Sequence, residues 1–358
     1  MPDFEEFETV IGRAYPARNP AELADELLTW ATGVLDIWIR PWQEAFDFLR
    51  ELPADDRQRL AKALVDRYHS AAADSPDRLN ALTLLGVLSH GLDEDGLCDE
   101  RLRRLDTLSR QYSFGYGMRF VSFAEAELAA GRQLPPAVAA AFRRAALDRF
   151  RDSHVSAVAK QLTEPVLNVG EQWAEQALAE LPGLAASWRQ LLAHATTVTA
   201  AKPSARWEKA GRKLLDETGA DAVRETVLPW LTLVGRPRTL ALQIDLNEAD
   251  YNQAYDPFNA NALRGIACLL SLLPPHPDIT SALGALVETS LDKVPRLGPR
   301  NPKVANAGVL ALSRIDHHMA WDELSRLATR VSHRGTLKLI NAELEARAKA
   351  LDTGRPRL

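Results

Sequence analysis

Residues 54–72 read ADDRQRLAKALVDRYHSAA. Leu60, Leu64, Val65 and Tyr68 recur at intervals of three and four and form one apolar stripe, while Arg57, Arg59, Lys62, Asp66 and Arg67 lie mostly off it. That spacing predicts an amphipathic α-helix, because a turn of 3.6 residues stacks such positions on one face. Asp55 and Asp56 fall in its expected first turn, where a carboxylate suits the positive end of the helix dipole.

The same pattern returns in Pro76–His90 through Leu79, Leu82, Leu85 and Leu88, and in Glu100–Gln111 through Leu102, Leu105 and Leu108. It returns again in Pro136–Phe150 through Val138, Phe142, Leu147 and Phe150, and it persists from Ala21 to Leu351 with little strand-like alternation. Short punctuators such as Leu52-Pro53, Ser75-Pro76, Leu181-Pro182-Gly183, Gly219 and Pro274–Pro277 separate the stretches. Links this short force successive helices to pack antiparallel. About fifteen helices are expected, spaced much as in repeats of roughly 40–47 residues. The fold predicted is therefore all-α, a HEAT/armadillo-like α-solenoid of antiparallel helix pairs, with a globular bundle as the alternative that shares this local pattern. An N-terminal helical array over 1–200 and a C-terminal helical region over 201–358 are expected, or else one continuous solenoid. Arg236–Asp256, the longest irregular stretch, holds Asp245, Asn247, Glu248, Asp250, Asn252 and Asp256 and reads as a boundary or mobile loop.

Composition bounds the function. The chain has 358 residues, 46% hydrophobic and 25% charged, with a formal net charge of -5, as a soluble globular protein would. Cys98 and Cys268 lie far apart and match no metal or redox spacing, so no disulfide framework is expected and a reducing compartment, the cytoplasm, is the expected location. The acidic Met1–Glu8 does not resemble a secretory signal. The apolar stretches Ala81–Leu88 and Ile266–Leu273 fall short of the roughly 20 residues that a membrane span needs.

Three segments carry a family likeness. They are Lys202-Pro-Ser-Ala-Arg-Trp-Glu-Lys-Ala with a following helix that ends Leu228-Pro229-Trp230-Leu231, then Asn259-Ala-Asn-Ala-Leu-Arg-Gly265, then Lys293-Val-Pro-Arg-Leu-Gly-Pro-Arg-Asn-Pro-Lys-Val-Ala-Asn-Ala307. With Leu337-Lys338-Leu339-Ile340 on a terminal helix, their order and spacing resemble the helical region of large MolR-like bacterial proteins of unknown function, which often carry a WGR domain. The likeness covers roughly the last 150 residues, about one domain's length. It implies a HEAT-like helical fold and no catalytic residues.

Motifs for chemistry are largely missing. There is no Gly-rich phosphate loop ending in Lys-Ser/Thr, no His-Glu-x-x-His and no Gly-x-Ser-x-Gly. Gly115-Tyr116-Gly117 lacks a third glycine and a preceding strand, so a loop or helix break is expected there. His317-His318 point about 100° apart on a helix and, following Asp316, read as a helix start and not as ligands. Asp93-Glu94-Asp95-Gly96 lacks the later oxygen ligands of a calcium loop and reads as a solvated turn. No catalytic residue, metal or cofactor is expected.

Two surfaces stand out. Trp38 and Trp42, with Phe46 and Phe48 close behind, form an aromatic cluster suited to a partner. From Thr280 to Leu358 there are 13 basic and 8 acidic residues, a net +5 that leaves -10 on the rest of the chain. No acidic residue separates Asp292 from Asp316, while Lys293, Arg296, Arg300, Lys303 and Arg314 fall between them. Pro299 and Pro302 precede a helix expected near Lys303, where free amides beside basic side chains would favour an anion. Val294-Pro-Arg-Leu-Gly-Pro299 also echoes a helix-hairpin-helix loop, with Arg296 where that motif places its first glycine. Lys293, Arg296, Arg300, Lys303, Arg330, Arg334 and Lys338 are thus the expected anion- or partner-binding set, and pairing with neighbouring acidic helices is the plainer alternative. The function expected is a non-catalytic scaffold for a protein partner. A nucleic-acid binder using the basic end is the first alternative, and an enzyme with a site in a concave groove the second.

Overall fold

The computed structural model describes residues 19–34, 41–92, 97–112, 118–148, 153–200, 202–244 and 249–352. Trp38, Asp93–Gly96, Gly115–Gly117 and Asp245–Glu248 lie outside them, as does the side chain of Trp42, while of the expected aromatic cluster Phe46 is buried in the core and Phe48 half-buried. The described chain is all-helical, with seventeen α-helices and one two-stranded hairpin. None of these helices is long and apolar enough to cross a membrane.

The chain divides into two compact units. The first comprises residues 1–109, 114–138 and 150–161, and the second residues 110–113, 139–149 and 162–358. The expected division at 200/201 thus falls inside the second unit, and the segment 236–256 also lies wholly within it.

The first unit contains α1 (Pro20–Val34), α2 (Pro41–Glu51), α3 (Ala54–Ser70), α4 (Pro76–Leu88), α5 (Cys98–Ser109), α6 (Met118–Ala129) and α8 (Ser153–Gln161). α3 is the helix read from residues 54–72, and its Leu60, Leu64 and Tyr68 are buried as the stripe requires. α4 is its centre: every residue from Asn80 to Leu88 is buried, and α1, α2, α3 and α6 pack around it. A helix apolar on all sides has no face to give to water. Ser75 caps it by accepting from the Asp77 amide, with Pro76 at the first helical position.

The second unit holds most of α7 (Pro136–Ala146), then α9 (Gln172–Glu180), α10 (Ala186–Thr196), α11 (Ala205–Thr218), α12 (Ala220–Thr232), α13 (Pro257–Leu270), α14 (Pro277–Leu291), α15 (Pro302–Arg314), α16 (His318–Arg330) and α17 (Arg334–Asp352). Between α14 and α15 stand β1 (Lys293–Val294) and β2 (Gly298–Pro299), an antiparallel hairpin where only a loop is expected from the sequence. α9, α12, α14 and α16 pack in succession as one layer, and α10, α13, α15 and α17 as a second, with α11 against α10, α12 and α13. The core between them includes Trp173, Trp188 and Trp230, the last two edge-on at 5.8 Å. Asn301 caps α15 and His317 caps α16 through their side chains, so His317 and His318 mark a helix start as the sequence implies.

A buried polar lattice joins α13 to the segment before α9. Asp256, 1% exposed, caps α13 by accepting from the amides of Phe258 and Asn259. The same carboxylate accepts from Asn168 Nδ2 at 2.9 Å and from Arg144 Nη1 at 3.4 Å. Asn259 Oδ1 accepts from the Asn168 amide at 2.8 Å, while its Nδ2 donates to Asn168 O and, at 2.7 Å, to Glu171 Oε2. Arg143 donates to the carbonyls of Leu162 and Pro165 and lies over the Phe258 ring. Burial and the nearby Asp256 carboxylate push Glu171 up to about 7, opposed by Arg238 and by the hydrogen bonds from Asn259 and the Asp256 amide.

α13 meets α10 at Gly265, where an added Cβ would stand 2.1 Å from the Ala195 carbonyl oxygen, so Gly265→Ala should destabilise the chain by at least about 1–3 kcal/mol. Leu269, 3% exposed on the same helix, should cost about 2–5 kcal/mol when cut to alanine. Denaturant titration of both variants checks these values. Glu171 holds its proton more tightly folded than unfolded, so its contribution is complete below the ordinary carboxylate range and is lost as pH rises to about 7. Unfolding titrations at pH 5 and pH 8 should therefore show a loss of stability in the wild type that Glu171→Gln reduces.

Candidate functional site

A groove of about 650 Å³ lies in the second unit, formed by α11, the C-terminal halves of α13 and α15, the start of α16, and α17. Its volume lies in the range of small-ligand or peptide-segment sites. Glu208 and Arg212 come from α11, Cys268 from α13, Arg314 from the end of α15, Trp321 from α16 and Arg347 from α17. These positions converge because α11 packs on α13, α13 on α15 and α15 on α17.

The charges alternate. Arg314 Nη2 meets Glu208 Oε1 at 2.5 Å, and Arg347 Nη2 meets Asp316 Oδ1 at 2.9 Å. The Arg347 guanidinium also lies 5.1 Å from the centre of the Trp321 ring, within cation–π reach. Trp321 Nε1 is buried without an acceptor among the described residues. Lys202 and Arg212 line the groove exposed, with no ion-pair partner among the described residues. Burial pushes the Cys268 thiol up to about 11, so it is protonated at neutral pH and a poor nucleophile.

Of the basic residues singled out from the sequence, Arg314 lines the groove, and the others lie elsewhere and do not form one patch. Lys303 begins α15 and Arg314 ends it, a rise of about 16 Å at 1.5 Å per residue. Lys293 is exposed on β1, and Arg296 occupies the hairpin turn with φ 64, the left-handed conformation that glycine adopts more readily. Arg300 turns inward and donates from Nη1 to the Gly235 carbonyl at 2.6 Å. Arg330 is paired with Glu288 at 2.8 Å, beside Arg326 on the same carboxylate. Lys303, Arg334 and Lys338 are exposed and have no ion-pair partner among the described residues. Thr336 Oγ1 donates to Asn306 Oδ1 at 2.8 Å, which sets the first turns of α15 and α17 side by side and these three cations at one end of the unit.

The chain matches no protein-family model, no curated protein and no solved structure. The groove residues Glu208, Arg314, Trp321 and Arg347 were not legible as a site, since they are separated by up to 139 positions and each reads locally as a helix surface or a gap-filling aromatic. Arg314, in the acid-free stretch, and the tryptophan count were the only signals pointing towards them.

Cys268 supplies a check on this geometry. Its thiol should resist iodoacetamide at pH 8 in the native chain and react fully in guanidinium chloride, as mass spectrometry of the labelled peptide would show. Rapid native labelling would mean that the groove floor is open to solvent.

Proposed function

We propose that the chain is a non-catalytic helical-repeat scaffold, its second unit a HEAT-like stack whose groove holds an extended segment of a protein partner. The two successive helix layers support the solenoid reading, and a helical region like that of the MolR-like bacterial proteins fits the same description. A bacterial cytoplasm is the setting that accords with two unpaired thiols.

The observation that carries this reading is the alternation of charge in the groove. Glu208, Asp316 and Glu343 stand among Lys202, Arg212, Arg314 and Arg347, with Trp321 between them. A polyanion following the groove would meet three carboxylates, whereas a polypeptide of mixed charge can place a cation and an anion in turn. The enzyme reading draws less support, because the groove's thiol is protonated and its lining contains no histidine.

A second reading rests on Lys303, Arg334 and Lys338, three exposed cations at one end of the unit with no acidic partner among the described residues. They suit phosphates of a nucleic acid.

Peptide display on the full chain separates the two. Selected peptides should share a mixed-charge pattern and lose tenfold or more in affinity for Arg314→Glu/Arg347→Glu, a double variant at partly exposed positions. Failure to enrich any sequence, or equal binding to the double variant, would overturn the scaffold reading. Duplex DNA binding with a log-affinity against log-salt slope that shrinks by about 0.9 for each contact removed in Lys303→Ala/Arg334→Ala/Lys338→Ala would install the second reading instead.

A further inference from the structure

A second, much smaller cavity lies at the first turn of α9 and shares no lining residue with the groove. Glu171, Gln172 and Trp173 line it from the start of the helix, Arg236 and Arg238 from the segment after α12, and Tyr255 and Arg300 complete it. Three of these residues carry buried donors with no hydrogen-bond acceptor among the described residues: Trp173 Nε1, Arg238 Nη2 and Arg300 Nε. Trp173 is 1% exposed. Native interiors rarely leave such groups unmet, so three on one cavity call for an acceptor.

The backbone adds donors of the same kind. Glu171 stands at the N-cap of α9 without capping it through its side chain, and the amides of Gln172, Trp173 and Ala174 have no acceptor among the described residues. A helix start in this condition carries partial positive charge. Glu171 does not fill the role, because its oxygens accept from the Asp256 amide and from Asn259 Nδ2.

The half-buried guanidinium groups of Arg238 and Arg300 are each fixed at one edge and open at another. Arg238 Nε donates to the Leu240 carbonyl at 3.1 Å, and Arg300 Nη1 to the Gly235 carbonyl at 2.6 Å. Asp292 Oδ2 lies 3.8 Å from Arg300 Nε, close enough for attraction and too far for a hydrogen bond. Gly170, at φ 102, leaves the space that Arg238 uses, since a Cβ there would stand 2.6 Å from Nη2. Arg236, exposed, has no hydrogen bond or ion pair through its side chain among the described residues.

We propose that this cavity is an oxyanion site, taking one oxygen of a phosphate or carboxylate group while the rest of the group lies at the mouth under Arg236. The interior, about 10 Å³, has room for one atom the size of a water oxygen, so a whole phosphate does not enter. An anionic oxygen also answers the charge balance better than water, because the lining holds three guanidinium groups and one carboxylate, Glu171, whose oxygens are already engaged. Phosphate and carboxylate share this chemistry and come from different sources, a phosphorylated molecule or an acidic side chain or chain end.

Calorimetric titration of the full chain with inorganic phosphate, and separately with acetate, at constant ionic strength set by sodium chloride, tests the site. Saturable binding of at least one is expected, weakened tenfold or more by Arg236→Gln, which alters an exposed side chain and leaves the fold intact, and by Arg238→Gln. Preference for phosphate over acetate, or the reverse, identifies the source. The proposal is overturned if neither anion binds saturably, which would leave water as the occupant, or if both variants bind as the wild type does, which would place the anion elsewhere.

Discussion

Asp256 is the constraint on which the second unit is built. A carboxylate that is 1% exposed must have its charge met inside the protein, and this one draws on the amides of Phe258 and Asn259, on Asn168 and on Arg144 at once. Meeting it fixes where α13 begins. It also ties the segment before α9 to that start through the paired Asn168–Asn259 hydrogen bonds. With the start of α13 set, Gly265 comes to lie against the Ala195 carbonyl, and α10 and α13 are held closer than any side chain would permit. The second layer, α10, α13, α15 and α17, grows from that contact.

The lattice has a consequence for charge at its edge. Asn259 and the Asp256 amide engage both oxygens of Glu171, so that carboxylate is turned towards α13 and away from the first turn of α9. Arg238 and Arg300 are held in turn by backbone carbonyls. Donors therefore accumulate on one side and acceptors on the other, each side hydrogen-bonded within the fold as far as geometry allows.

The groove follows a different logic. Its ion pairs are partly exposed, so Glu208 with Arg314 and Asp316 with Arg347 contribute little to stability and are free to exchange partners with an incoming segment. Trp321 and the stem of Arg347 give the same surface an apolar component. The basic end, by comparison, is divided by the fold: Arg330 is neutralised by Glu288 and Arg300 turns inward, while Lys303, Arg334 and Lys338 face solvent.

The helices themselves could be read from the chain because their signals are local. The stripe Leu60, Leu64 and Tyr68, the cap and proline at Ser75-Pro76, and the helix start at His317 each depend on residues within a turn or two of one another. Asp256-Pro257 carried the same cap signal inside what reads as an acidic loop, where its neighbours' charge hid it. What joins distant positions was not written locally. Arg144 and Asp256 are 112 residues apart and Asn168 and Asp256 are 88, and no periodicity reports which buried charge will meet which donor. The hairpin at Lys293–Pro299, the inward turn of Arg300 and the meeting of Glu208 with Arg314 belong to the same class. Helical periodicity follows from backbone geometry over a few residues, whereas pairing across helices exists only once packing has removed the water that would otherwise have solvated each charge alone.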